Sequence, residues 1–420
     1  VEKPIDLSQM KVNVDLRAEW QQMYDEAWRH MRDFFYDPAM HGVDWDAVYE
    51  KYNVLVPHIA HRSDLAYITG EMIGELNVGH AYSQNGEKPE PERIKTGLLG
   101  AKVSRHNSGY FHIDEILKGA NWSKQLHSPL RAVGVDVNEG EYIVSVDGVD
   151  VTTTNDIYQL LVGKADTEVL LEVNSKPSAS GSREVLINTI GDESALYYHK
   201  WVHDNIDKVS EQTDGKVGYL HIPDMGVDGL NEFAKYYYPQ LRKEGLIIDV
   251  RGNGGGNVSP MIIERLMRQL TYMTMHTGQT EGDPNPVGMH IGPKVTLLDK
   301  YSASDGDLFP YRFQVNQLGK TIGTRSWGGV VGYSGAISLI DGGSIVTPSY
   351  APYDKDGKEF IIEGRGVVPD IIIENDPAEQ YKGVDAQLNK AVEVVLDELK
   401  KKPVKYPPIP AFPVKTGEEL

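Results

Sequence analysis

At 420 residues the chain exceeds the usual size of one domain, so two or three domains are expected, each with its own core. The formal charge of −19 argues against a nucleic-acid partner, which requires a basic face, and no apolar run is long enough to span a bilayer, so neither nucleic acid nor membrane is expected as a partner. Zero cysteines remove disulfides, thiolate zinc sites and cysteine nucleophiles together, while leaving the compartment open.

Residues 1–88 read as a helical domain. Leu16, Trp20, Met23, Ala27, Trp28, Met31 and Phe35 recur at spacings of three and four behind a capping Asp15, which describes an amphipathic helix laying aromatics onto a core. The loop Tyr36 to Trp45 breaks it. A second helix begins at Ser63-Asp64, carries Leu65, Ile68, Met72, Ile73 and Leu76 on one stripe, and leads straight into NVGHAY, Asn77 to Tyr82. His80 therefore lies just past a helix end in a Gly-containing turn, where a histidine serves as a surface residue, a cap or a base. The chain starts at Val1 without a signal-peptide pattern, as a mature form or a fragment of something longer.

Asn85 to Pro91 is polar and Pro-containing, as linkers are. Residues 93–191 are rich in short strands, namely LLGAKV, YFHIDEIL, EYIVSV, VLLEVN and REVLINTI, with a turn at Val146-Asp147-Gly148-Val149 and a helix near Asn155 to Val162. The opening TGLLG places Gly97, Leu98, Leu99 and Gly100 in a Gly-flanked apolar loop. Together with GEYIVSVDGVDV and the helix that follows, it resembles a PDZ domain in the permuted form of bacterial processing proteases. The resemblance implies that a peptide adds as a strand beside an edge, with its terminal carboxylate held by loop N–H groups. A plain small barrel without a binding function is the other reading.

Residues 195–402 alternate strands with helices: KVGYLHI, LNEFAKYYYPQL, LIIDVRGNGGGN, PMIIERLMRQL, KVTLLD, a helix, and GKTIGT. That alternation predicts a layered, mainly parallel α/β sheet with its functional loops at the strands' C-terminal ends. Two loops fall at such ends. One is GNGGG, Gly252 to Gly256, which lacks the Lys-Ser/Thr of a phosphate loop and the spacing of a dinucleotide fingerprint, so its glycines instead allow a backbone N–H close to a substrate carbonyl. The other is KYSASDGD, where Ser304 stands between an apolar strand and an acidic helix start. That position presents a hydroxyl among converging N–H groups, as nucleophilic acyl transfer requires, although Ser-Asp is also an ordinary helix cap. Residues 403–420 form a Pro-rich, extended tail. His199 and His203, spaced i and i+4, offer two zinc ligands without an evident third, so no metal, and no other cofactor, is expected.

The loops NVGHAY, DVRGNGGGN and KYSASDGD, with IIEGRGVVPD as a fourth, occur in an order that resembles the tricorn protease family and the C-terminal processing proteases, over essentially the whole chain. FYDPAMHGVDW and GTRSWGGVVG belong to the same likeness; a large β-propeller portion of the family is absent. The resemblance implies an α/β multidomain fold whose third part is layered in the crotonase/ClpP manner, and a serine endopeptidase acting on peptides or unfolded polypeptides. It implies Ser304 as nucleophile, His80 as base, Glu363 as the supporting acid, and the N–H groups of Gly256 and Asp305 as the oxyanion hole. Gly255, Thr274, Gly328 and Gly329 would face the substrate.

Gly79 stands where the family has a serine, which leaves a water or another hydroxyl to bridge Glu363 to His80. Met273 and Thr274 stand where an acidic residue would favour basic side chains, so a trypsin-like preference is not implied. The family also implies a cytoplasmic location, with a periplasmic one as the alternative had a longer chain carried a signal peptide, and a possible homo-oligomer. A catalytically inactive PDZ scaffold is the competing class, and acyl-thioester chemistry on the same layered fold a third.

Overall fold

The computed structural model describes residues 6–7, 9–84, 86, 88, 90–120 and 122–415, so part of the expected linker Asn85 to Pro91 and the last residues of the tail lie outside the described residues. Contacts divide the chain into two units, one of residues 1–89 with 212–420 and one of residues 90–211.

In the first unit, α1 (Leu16–Phe34) starts where the Asp15 carboxylate accepts the N–H groups of Arg17 and Ala18, and it buries Trp20, Met23, Tyr24, Ala27 and Met31. A helix not anticipated from periodicity follows, α2 (Trp45–Asn53), whose nine residues bury only Trp45 and Val48. α3 (Arg62–Gly74) begins one residue before the expected Ser63 because His61, not Ser63, caps it: the ring accepts the Ser63 N–H while Asp64 accepts the His61 N–H. Past Leu76 the backbone turns left-handed at Asn77 and again at His80, then enters β1 (Tyr82–Gln84).

The second unit is an antiparallel sheet of β2 (Ala101–Arg105), β3 (Phe111–Ile116), β4 (Tyr142–Val146), β5 (Val149–Asp150), β6 (Glu168–Asn174) and β7 (Arg183–Asn188). Its path is β2-β3-β4-β6-β7 with β5 paired to β4. Asp147 and Gly148 both take positive φ, which suits the two-residue hairpin between β4 and β5. The helix expected at Asn155 to Val162 is a 3₁₀ turn over Ile157–Leu161, ended by Gly163 at φ 76°. Leu99, Ile113, Ile143, Val146, Leu161, Val169, Leu171 and Val173 form its core. The unit runs out into α4 (Ser194–Gln212).

The remainder of the first unit alternates as expected. Its elements are β8 (Val217–His221), α5 (Val227–Tyr237), β9 (Gly245–Asp249), α6 (Ser259–Leu266), β10 (Tyr272–Thr274), β11 (Asp283–Asn285), β12 (Lys294–Leu298), α7 (Asp305–Val315), β13 (Gly319–Gly323), β14 (Ala336–Ser338), β15 (Ser344–Val346), β16 (Ile371–Ile372), α8 (Pro377–Tyr381) and α9 (Ala386–Lys401). The sheet β16-β13-β12-β9-β8 is parallel at every pairing. Every residue of β8 and β9 is buried, as strands covered on both faces must be.

At the end of β9, Arg251 sits in a buried network. Its guanidinium meets the Asp249 carboxylate at 2.6 Å and Asp385 at 2.9 Å, so the cap of α9 is tied to the strand that feeds the glycine loop. The opposing charges hold Asp249 below the usual carboxylate range despite the burial that pushes it up.

What brings the front helices to this sheet is a small one that the sequence did not announce. β1 pairs antiparallel with β15, and β15 with β14. Leu339 and Ile345 join the core of Trp20, Met31, Leu65 and Met72. The Arg62 guanidinium meets Asp341 at 2.5 Å with both side chains almost covered.

Candidate active site

The serine turn is built from buried polar groups. Ser304 takes φ 57° and ψ −120°, a left-handed backbone costly for any residue with a side chain, by about 1–3 kcal/mol. Its N–H donates to the Asp307 carboxylate at 2.9 Å, and that carboxylate also accepts the N–H groups of Gly328 at 2.9 Å and Gly329 at 3.3 Å. Asp307 is fully buried, and burial raises its pKa against those donors. Just upstream, the Ser302 hydroxyl donates to the Val250 carbonyl at 2.9 Å, which ties the turn to the end of β9.

The glycine loop is pinned to the same turn by Asn253. Its carbonyl accepts the Ala303 N–H at 2.8 Å, its side-chain oxygen accepts the Gly255 N–H at 2.9 Å, and its amide donates to the Ile222 carbonyl at 2.9 Å. Gly255, at φ 100°, leaves no room for a side chain: a Cβ there would stand 2.6 Å from Ser304 Cβ and 3.0 Å from the Asp305 nitrogen. Gly256 bridges Met225 in parallel, with the flanking Gly255 carbonyl and Asn257 N–H bonded to Met225, which turns the Gly256 N–H to the opposite side. The Asp305 carboxylate points away from the turn to the Ser259 N–H at 2.8 Å and to Arg312 at 2.9 Å, so only the backbone of Asp305 faces the serine.

The histidine turn is held from its backbone. One Glu363 oxygen accepts the Gly79 N–H at 2.7 Å, and the other accepts the N–H groups of Val330 at 2.6 Å and Val331 at 2.9 Å. The strip Trp327 to Val331 is thereby gripped twice, by Asp307 beside Ser304 and by Glu363 beside His80. Its Trp327 N–H donates to the Ser302 carbonyl at 2.9 Å, again next to the serine.

Around the His80 ring stand Trp327 at 6.0 Å, edge-on, Tyr333 at 5.9 Å and Tyr82 at 6.1 Å between centroids. These three rings are between 41 and 46% exposed, so one face of the cluster is open to whatever approaches the histidine. Burial lowers the imidazole pKa from its ordinary 6.5, opposed by the Glu363 charge and by the Val331 backbone. Its Nδ1 is buried without a hydrogen-bond partner among the described residues.

Sequence reasoning missed three contributors: Asp307, read only as part of a helix start, and Asn253 and Trp327, whose motifs GNGGG and GTRSWGGVVG were read without a role for either residue. Each acts by hydrogen bonding or packing across more than 20 residues, which leaves no local periodicity. Of the residues expected to face substrate, Gly255, Gly328 and Gly329 lie at the two turns. Thr274, on β10, instead lines a 480 Å³ pocket with Tyr238, Arg242, His276, Asp283 and Met289, and none of Ser304, His80 or Glu363 lines it. In the other unit, the loop amides of Gly97, Leu98 and Gly100 all donate within the unit, and Leu99 is fully buried. His199 and His203 lie 4.3 Å apart on α4, and no group of three metal-ligating side chains occurs among the described residues.

Comparison with known proteins covers nearly the whole chain. Residues 16–74 match the tricorn protease C1 domain, residues 97–192 the tricorn protease PDZ domain, and residues 216–373 peptidase family S41. The tricorn protease of Thermoplasma volcanium is 36% identical over 97% of this chain and 39% of its own length; tricorn protease homolog 1 of Streptomyces coelicolor is 36% identical over 96% of this chain and 38% of its own. The crystal structure of the tricorn protease superimposes with a TM-score of 0.86 at 33% identity, covering 94% of this chain and 38% of that one. The chain thus spans about two fifths of the length of these relatives.

Proposed function

The chain belongs to the tricorn protease family and carries a serine-peptidase domain of family S41, and from that premise we propose that it hydrolyses internal bonds of peptides or unfolded polypeptides through Ser304. The observation that carries the reading is the doubly gripped strip Trp327 to Val331, which couples the strained serine turn to the turn presenting His80. On this reading His80, kept neutral at pH 7 by its lowered pKa, takes the Ser304 proton as the hydroxyl attacks the carbonyl, then returns it to the leaving amine. The N–H groups of Gly256 and Asp305 receive the oxyanion, in keeping with the turned-away Gly256 amide and the first-turn position of Asp305. Glu363 is a positioning residue that fixes the backbone on which His80 stands, and a water at the unpartnered Nδ1 completes the relay in place of the hydroxyl that Gly79 lacks.

Gly255, Gly328 and Gly329 border the bound peptide, and Thr274 contacts it only where the substrate extends into the separate pocket beside β10. We assign domains to residues 1–88, 93–191 and 195–402, with a tail at 403–420, and read the parallel sheet as crotonase/ClpP-like layering. The PDZ domain contributes contacts to substrate or to a homo-oligomer. No helix among the described residues is long and apolar enough to cross a membrane, and the cytoplasm is the proposed compartment, with the periplasm as the alternative.

The test is labelling with a peptidyl phosphonate followed by peptide mapping. Ser304 should be modified in the wild-type chain and nothing in Ser304→Ala, whose cleavage of a diverse peptide library should fall by ~10⁴-fold or more. An unlabelled Ser304 together with an uncut library would leave the inactive PDZ scaffold as the better description.

A further inference from the structure

Lys294 opens β12 at the end of the strand away from the Ser304 turn, and no step of peptide hydrolysis uses it. It lines a cavity of about 690 Å³ walled by the end of α7, the start of β13 and one face of α9. Val295, Leu318 and Val394 give these walls an apolar part. Gly319 stands opposite Lys294 in the parallel sheet, and a Cβ there would collide with the Lys294 carbonyl, so the wall beside the lysine carries no side chain at that point.

The amine is half-buried and short of partners. Its Nζ donates to the Gly292 carbonyl at 3.3 Å, and it ion-pairs with no carboxylate among the described residues. Two carboxylates line the same cavity, yet both are engaged elsewhere. Asp370 meets Lys320 at 3.5 Å and accepts the Thr321 N–H at 2.9 Å, and Glu398 meets Lys401 at 3.0 Å. His290 lies near enough to feel the Lys294 charge, but it is buried and offers no counter-charge: burial and that charge push its pKa down to about 3. An ammonium placed so has lost water without gaining an anion, which favours its neutral form. Burial accordingly lowers the Lys294 pKa from 10.5 to about 8. At pH 7.5 about a quarter of it is then free amine, against about a thousandth of an ordinary lysine.

We propose that Lys294 is a nucleophilic lysine that captures uncharged aldehydes in this cavity as reversible imines. The lone pair of Nζ attacks the carbonyl carbon, and a proton passes from the nitrogen to the oxygen to give a carbinolamine. The oxygen then leaves as water with both amine hydrogens as the C=N bond forms. The charges of the walls are paired with one another or with a neighbouring lysine, so an ionic ligand finds no partner there, whereas an uncharged carbonyl needs none. The proposal does not rest on hydrolysis, so it stands or falls apart from the role of Ser304.

The experiment treats the full chain with benzaldehyde and sodium cyanoborohydride at pH 7.5. The reductant turns an imine into a stable benzylamine and does not trap a hemiacetal at a serine. Peptide mapping over time should find Lys294 benzylated about tenfold or more faster than the exposed Lys358 and Lys400, and its rate should saturate with benzaldehyde concentration, as capture in a cavity requires. Lys294→Met, uncharged and of similar length, should keep the far-ultraviolet dichroism and lose the fast label. The site-by-site rates are read in the wild-type chain, so they do not depend on how that variant folds. Benzylation of Lys294 no faster than that of Lys358 and Lys400, or a rate that stays linear in benzaldehyde, would overturn the proposal.

Discussion

Two turns on which a non-glycine residue takes a positive φ, Ser304 at 57° and His80 at 58°, are supported in opposite ways. The serine turn is fixed atom by atom: Asp307 takes its N–H, Asn253 pins the residue before it, and Ser302 ties it to the strand beneath. The histidine turn is fixed through its neighbours. Glu363 grips the Gly79 backbone, the small β1-β15-β14 sheet and the Arg62–Asp341 pair carry the segment into place, and the ring itself rests among three half-exposed aromatics. The difference teaches where adjustment is allowed. In the proposed mechanism the attacking hydroxyl and its oxyanion amides have to stand ready before substrate arrives, whereas an imidazole that passes a proton between two atoms gains from a ring free to swing.

The largest break in that comparison comes from Arg62→Ala. It leaves the covered Asp341 carboxylate without its cation, which costs about 3–5 kcal/mol, and the loss should fall on the histidine side first. In a urea titration, peptidase activity should vanish at a lower concentration than the far-ultraviolet dichroism of the sheet. Coincident transitions would show that the two turns are not separately supported.

A smaller break on the serine side is Asp307→Asn, which puts an NH₂ where the wild-type carboxylate accepts three N–H groups. Stability should fall by about 2–3 kcal/mol by urea denaturation, with phosphonate labelling of Ser304 slowed in parallel. Unchanged labelling at reduced stability would mean that the turn keeps its shape without Asp307.

Trp327→Ala sharpens the comparison with the smallest effect. Removing the indole lets water reach His80, so its lowered pKa should return toward 6.5. With His80 in its proposed role as base the neutral ring is the working form, so activity is lost as pH falls through that pKa, and the acid limb of kcat/KM should move to higher pH by less than one unit. A limb that stays put would mean that the indole does not exclude water from the ring.

Much of this architecture was legible from residue pattern. The three- and four-residue spacing of α1 and α3, the alternation of strand and helix from Val217 onward, and the glycine loop at the end of β9 are local consequences of hydrophobic period and turn chemistry, and each emerged where expected. The short α2 and the three-residue strands β1, β14 and β15 did not, because elements that brief take their stability from partners distant in the chain rather than from their own composition. Composition also fixed what the protein lacks in thiols, because that is a count and needs no fold.

What folding alone decided is the meeting of groups that the chain keeps far apart. Glu363 finds Gly79 across 284 positions and Arg62 finds Asp341 across 279. No spacing rule reaches so far, since such contacts are chosen by the burial of whole faces and only then made specific by a carboxylate that must find donors once it has left water.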